Sequence, residues 1–279
     1  MRKIAHLSDL HFGAVDPLVL AGLAKAIRVA GPDVVVVSGD LTQRARTGEF
    51  QAARDFLATL PLPQIVVPGN HDVPLYNLGL RAFSPLGRFQ RFFGPDMTPF
   101  FADDEIAIVG VNTARALTFK DGRISRAQVA GIEKQLSHLG PGVTRIVVTH
   151  HPFEGTVGEP RQGRVGRAAM AMAGFSASRI DLVLSGHLHE GKTGFSAQRY
   201  NLGGYGALMI QAGTASSHRR RGQANSFNII RVVASRLQVQ RWNWDVGTAD
   251  FVLGYQEGFE KSADRWTPLA LPGDAETSG

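Results

Sequence analysis

Residues 34–40 read Val34-Val35-Val36-Val37-Ser38-Gly39-Asp40. Four β-branched residues in a row offer no polar face, so this run is a strand only if both of its faces are covered. It then ends in two small residues and a carboxylate. The same order recurs on both sides of it. Apolar runs at 3–7, 65–67, 146–148 and 182–184 are followed by Asp9 and His11, by Asn70 and His71, by His150, and by His187 and His189, while 106–109 is a further run of the same kind. Between these runs lie stretches with helical spacing at 18–29, 48–60 and 125–139. The last opens at Ser125, a good N-cap, and closes at Gly140 and Pro141.

Alternation of strand and helix predicts a layered α/β fold in which helices cover a largely parallel sheet. Beyond Gly186 the pattern changes. Runs at 207–211, 226–233 and 237–244 follow one another through short connections, which predicts a second, mixed or antiparallel sheet completing a sandwich. Residues 1–261 are therefore expected to form one domain. The stretch 262–279, rich in Pro, Asp, Thr, Ser and Gly, is expected to be a weakly ordered tail.

The 279 residues contain no cysteine, which excludes disulfides, thiolate nucleophiles and sulfur ligation of a metal. No segment has the pattern of a signal peptide or a membrane span, so the expected location is the cytoplasm. A formal charge of +6 favours an anionic partner without choosing among a small phosphoester, a nucleic acid and an acidic surface.

Each polar cluster stands just past the carboxyl end of an apolar run, and in a parallel sheet those ends share one edge, where α/β proteins place their sites. Asp9, His11, Asp40, Asn70, His150, His187 and His189 are seven oxygen and nitrogen donors, too many for one ion. Carboxylate and imidazole suit Zn, Mn and Fe. Two such ions sharing one carboxylate match the arrangement used for in-line displacement at phosphorus, and Asp40 is the expected bridge.

The series Asp9-Leu10-His11, Gly39-Asp40, Gly69-Asn70-His71-Asp72, His150 and Gly186-His187-Leu188-His189 resembles the calcineurin-like metallophosphoesterases. The form Thr149-His150-His151-Pro152 is similar to their bacterial cyclic-nucleotide and glycerophosphodiester phosphodiesterases. With the layering above, the resemblance implies a four-layer α/β/β/α sandwich, two mixed sheets flanked by helices, with a dinuclear site at strand carboxyl ends. It implies one metal held by Asp9, His11, Asp40 and His189, and the other by Asp40, Asn70, His150 and His187. His71 is then a catalytic residue that binds no metal, with Asp72 as its orienting partner, and His151 lies behind the ligands. The expected chemistry is hydrolysis of a phosphodiester by a hydroxide that metal coordination makes available at neutral pH, with His71 as general acid.

For substrate contact the sequence offers Arg44 and Arg46 after Asp40, and the cationic run His218, Arg219, Arg220 and Arg221. A long connection over 154–175 carries Arg161, Arg164 and Arg167, then Met170, Met172 and Phe175, and is either an apolar lid or a segment packed on the body. A lid would suit the competing substrate, the nucleotide-linked acylated sugar of lipid A assembly. A nuclease role would follow from the charge, but no added DNA-binding element is present; a non-catalytic binding module would require a missing ligand. Trp242, Trp244, Phe251 and Tyr255 are either core residues or the contacts of a homodimer.

Overall fold

The computed structural model describes residues 1–155, 163–218 and 222–270. In chain order the strands are β1 (Arg2–Leu7), β2 (Val34–Val37), β3 (Gln64–Val66), β4 (Phe100–Ala102), β5 (Ile106–Gly110), β6 (Thr144–Val148), β7 (Leu182–Ser185), β8 (Lys192–Phe195), β9 (Leu208–Gln211), β10 (Ser226–Val233), β11 (Arg236–Asp245), β12 (Asp250–Ser262) and β13 (Arg265–Leu269). The helices are α1 (Pro17–Ala30), α2 (Thr47–Leu57), α3 (Leu78–Phe83), α4 (Gly87–Phe93), α5 (Arg126–Leu136) and α6 (Ala168–Ala177). Asp16 caps α1 ahead of Pro17, and the Ser125 side chain accepts from Gln128 N at the start of α5, as its sequence predicts.

The strands form two mixed sheets, ordered β13-β12-β11-β10-β1-β2-β3 and β4-β5-β6-β7-β9-β8. Two mixed sheets are as expected; what changes is which strands share a sheet, because the early parallel strands do not form one sheet. β1–β3 and β5–β7 are two separate parallel triplets, and the later strands extend both sheets. The cause is how each triplet covers its two faces. The outer face of the first triplet packs Leu7, Val35 and Val37 against Leu23 and Ile27 of α1 and Phe50 and Ala53 of α2. The second packs Val109, Val147 and Val183 against Val129 and Ile132 of α5 and Met172 and Phe175 of α6. Their inner faces meet each other through Ile4, Val34, Val36, Ile65, Ile108, Ile146, Val148, Leu182 and Leu184, all buried. The result is the expected four-layer α/β/β/α sandwich.

One further expectation changes, and two open alternatives are decided for residues 168–177 and for the aromatic group. The stretch from Ser262 does not begin as a tail: β12 ends there and β13 returns on it, placing Trp266 in the core between the sheets. Residues 271–279 lie outside the described ones. α6 is a core helix with Met172 and Phe175 fully buried, so 168–177 forms no lid. Trp244 and Phe251 are buried in the core beneath α1 with Trp242 packed against it, and only Tyr255 of that group is exposed.

Candidate metal centre

The two triplets point their carboxyl ends the same way, and the loops leaving β1, β2, β3, β6 and β7 meet there. Asp9, His11, Asp40, His187 and His189 all take the left-handed backbone conformation, with φ between 51° and 75°. A side chain in that region is strained, and such strain collects where a site requires a fixed direction. Two glycines let these turns come together. A β-carbon on Gly69 would stand 2.1 Å from Asp40 Oδ1, and one on Gly186 would stand 1.7 Å from Ser8 Oγ and 2.6 Å from Asp9 Oδ2. Alanine fits neither place.

Asp9 Oδ1 lies 3.2 Å from His189 Nε2 and 3.5 Å from His11 Nε2, and those two nitrogens are 3.2 Å apart. Asp40 Oδ2 lies 3.4 Å from His150 Nε2 and 3.8 Å from His11 Nε2, while Asn70 Oδ1 is 3.1 Å from His150 Nε2. The His187 ring adjoins that of His150, with centroids 5.1 Å apart. The seven donors expected from the sequence thus converge on one buried volume, and Asp40 stands between the two groups.

The remaining atoms of these side chains are held by the protein. Ser8 Oγ and the His187 amide donate to Asp9 Oδ2 at 2.6 and 2.9 Å, and the His71 amide donates to Asp40 Oδ1 at 2.8 Å. His150 Nδ1 donates to the Ser38 carbonyl at 2.8 Å, which leaves the Nε2 lone pair facing the centre, as a metal-binding histidine requires. Asp9 Oδ1 has no hydrogen-bond donor although it is fully buried. A carboxylate oxygen facing imidazole lone pairs at that range is repelled unless a cation lies between them, so the donor set fits divalent metal.

The electrostatics say the same. Burial alone would raise Asp9 and Asp40, but the adjacent histidines, His189 and His11 for the first and His150 for the second, hold both well below the ordinary carboxylate range. Burial lowers His150, yet Asp40 outweighs it and pushes the ring up to about 9. The position beside Asp40 therefore demands positive charge, whether proton or metal. Burial, with His150 adjacent, takes His187 down to about 3. His151 is also pushed down by burial and by His187, and both its nitrogens are engaged: Thr113 Oγ1 donates to Nδ1 at 2.8 Å and Nε2 donates to the Lys120 carbonyl at 3.0 Å. It braces His187 from behind.

His71 packs edge-on against His11, with ring centroids 4.9 Å apart. Its Nδ1 donates to the Gln43 carbonyl at 2.9 Å. Asp72, expected to orient it, does other work. Its carboxylate accepts from Leu41 N, Thr42 N, Thr42 Oγ1 and Gly69 N at 2.9–3.2 Å and so ties the β2 loop to the β3 loop. Burial and the charge of Asp40 raise it to about 6. Backbone carbonyls such as those of Ser38, Thr42 and Gln43 carry no residue-type signature, which is why the sequence does not disclose them as partners of the histidines.

The Arg44 guanidinium lies 5.4 Å over the Tyr76 ring at the rim. The His218 amide donates to the Ala14 carbonyl at 3.0 Å, so this exposed residue also stands at the rim, beside the loop that follows His11. Arg161 and Arg219–Arg221 lie outside the described residues.

A profile of the calcineurin-like phosphoesterases matches residues 2–191, which contain every one of the seven donors. The chain belongs to this family. Among curated relatives of this calcineurin-like phosphoesterase, the glycerophosphodiester phosphodiesterase GpdQ of Enterobacter lignolyticus is 34% identical over 54% of the chain and 57% of the relative. A probable cyclic nucleotide phosphodiesterase of Synechococcus sp. is 26% identical over 67% of the chain and 73% of the relative. The chain thus spans little more than half the length of the GpdQ protein. Among solved structures, the purple acid phosphatase PPD1 of yellow lupin (Lupinus luteus) shares the fold with a TM-score of 0.67 at 14% identity, over 97% of this chain and 57% of that one.

Proposed function

We propose that this calcineurin-like phosphoesterase hydrolyses phosphodiesters of the glycerophosphodiester or cyclic-nucleotide type with two bound metal ions. The observation that carries this reading is the convergence of Asp9, His11 and His189 with Asp40, Asn70, His150 and His187, around a buried carboxylate oxygen with no donor. Asp9, His11, Asp40 and His189 would hold one ion and Asp40, Asn70, His150 and His187 the other. When bound, the ions neutralise phosphoryl charge and lower the pKa of water enough to provide a nucleophile at neutral pH.

In this reading His71 is the proton donor. Its Nδ1 is committed to the Gln43 carbonyl, so its Nε2 is the atom that hands a proton to the departing alkoxide. Thr42 and Asp72 hold the loops that aim it. Arg44 and the run His218 to Arg221 are proposed contacts for the part of the substrate beyond the scissile phosphate. With α6 in the core, residues 168–177 do not supply the apolar lid that would favour an acylated sugar nucleotide.

The test is hydrolysis by the Mn-, Zn- or Fe-loaded protein of glycerophosphocholine, cyclic AMP and bis(4-nitrophenyl) phosphate, beside the monoester 4-nitrophenyl phosphate. Diesters are expected to be cleaved faster than the monoester, with activity abolished by a chelator. A protein carrying two equivalents of metal that leaves every diester intact would refute the proposal.

A further inference from the structure

Two loops at the mouth of the centre expose large apolar side chains together. One begins directly after His71 and Asp72 and carries Tyr76, then Leu78 and Phe83 on the short helix α3; the other, over 115–121, carries Leu117 and Phe119. Leu117 and Phe83 are 96% and 93% exposed, and Tyr76, Leu78 and Phe119 are exposed by more than half. Apolar side chains scattered singly over a surface need no explanation, but a group of five on adjoining loops does.

The loops are built to stay together. Arg81 is buried, and its guanidinium donates to the Pro74 carbonyl at 3.0 Å and to the Thr118 carbonyl at 2.6 Å while stacking 4.5 Å from the Phe119 ring. His151 fixes the second loop through the Lys120 carbonyl, and Gly122 packs on the His151 ring so closely that a β-carbon there would stand 2.1 Å from Nδ1. The apolar side chains are therefore presented on a braced frame anchored behind the metal ligands.

Their charged neighbours are mostly basic. Residues 73–83 include Arg81 and no acid, and residues 114–124 include Arg115, Lys120 and Arg123 against Asp121 alone. Lys120 and Arg123 are exposed. In a two-fold contact between copies this patch would meet itself, setting its excess of cations against the same excess. An anionic bilayer offers the complement to both features: acyl chains for the apolar tips and headgroup charge for the cations.

We propose that this rim is a docking surface for an anionic lipid bilayer, seating the mouth of the metal centre on the headgroup layer. Leu117 and Phe119 enter the interface, Tyr76 lies at headgroup level, and Lys120 and Arg123 face the lipid phosphates.

The experiment is sedimentation of the full chain with sucrose-loaded vesicles of phosphatidylcholine alone and of phosphatidylcholine with phosphatidylglycerol, at low and high salt. Binding is expected to the anionic vesicles and to weaken with salt. The double variant Leu117→Ser, Phe119→Ser is expected to lose at least about tenfold in partitioning, and Lys120→Gln, Arg123→Gln to lose at least about fivefold and most of the salt dependence. Hydrolysis of soluble bis(4-nitrophenyl) phosphate is followed on the same samples, so a failed docking surface is distinguished from a failed phosphodiesterase reading. Equal partitioning of wild type and both variants overturns the proposal, as does a concentration-dependent dimer that the serine variant abolishes while vesicles remain unbound.

Discussion

Asp40 serves two masters with its two oxygens: Oδ1 takes the His71 amide, while Oδ2 stands between His150 and His11. Asp40→Asn preserves shape and the amide contact but removes the charge that draws positive species to both sides. Metal analysis of the purified variant is expected to show loss from both positions and activity reduced by at least 100-fold; two retained equivalents with normal turnover would exclude a shared carboxylate. His71 makes the opposite prediction. Because His71 Nδ1 is given to the Gln43 carbonyl, His71→Ala is expected to keep its metal while turnover falls by about 100-fold. The loss should be large for alkyl leaving groups and small for nitrophenolate, which departs without a proton. Equal losses for both would assign His71 to charge stabilisation alone.

At the scale of elements, what the sequence discloses depends on how local the cause is. The short apolar runs announce β1, β2, β6 and β7 because two-sided burial leaves few polar positions, and the donors at their ends follow directly. Which sheet each run joins is not local. β1 and β5 have the same apolar texture, yet one lies between β10 and β2 and the other between β4 and β6. Only the meeting of their inner faces decides it. β13 was hidden for a related reason: Pro268 and Thr267 give it the texture of a tail, whereas its one aromatic side chain, Trp266, is buried between the sheets. That burial is testable. Trp266→Ala is expected to cost about 3–5 kcal/mol, the range for removing a buried aromatic, with metal content unchanged in the protein that remains folded. Urea denaturation measures it, and a cost below about 1 kcal/mol would show that β13 contributes little to the core.

For the whole molecule, drawing so many histidines inward makes stability depend on pH in a direction that burial sets. His6 lies between the sheets below the centre, bonded to Ser38 Oγ at 3.0 Å, and burial takes it down to about 3 from an ordinary value of 6.5. A histidine depressed in the folded state is neutral there while the unfolded chain takes up a proton below pH 6.5. The folded state is therefore unpenalised above pH 6.5 and loses stability as pH falls from 6.5 toward 3, by up to about 1.4 kcal/mol per pH unit for each such group. His150, raised to about 9 in the metal-free chain, works the other way, with its contribution present below pH 6.5 and lost as pH rises through 9. The His150 window lies above pH 6.5; on the acid side Asp72, raised to about 6, opposes the depressed histidines below about pH 6, and the difference between wild type and a His6 variant cancels its effect. His6→Gln retains a hydrogen-bonding partner for Ser38 without a titrating ring, and it is expected to make the decline of stability between pH 6.5 and 5 shallower by about one proton's worth. Urea midpoints of the chelator-treated wild type and variant at pH 7.5, 6.5, 5.75 and 5 decide the matter. Parallel declines would mean that His6 is protonated in the folded chain, and that the layer between the sheets admits charge where the structure shows it closed.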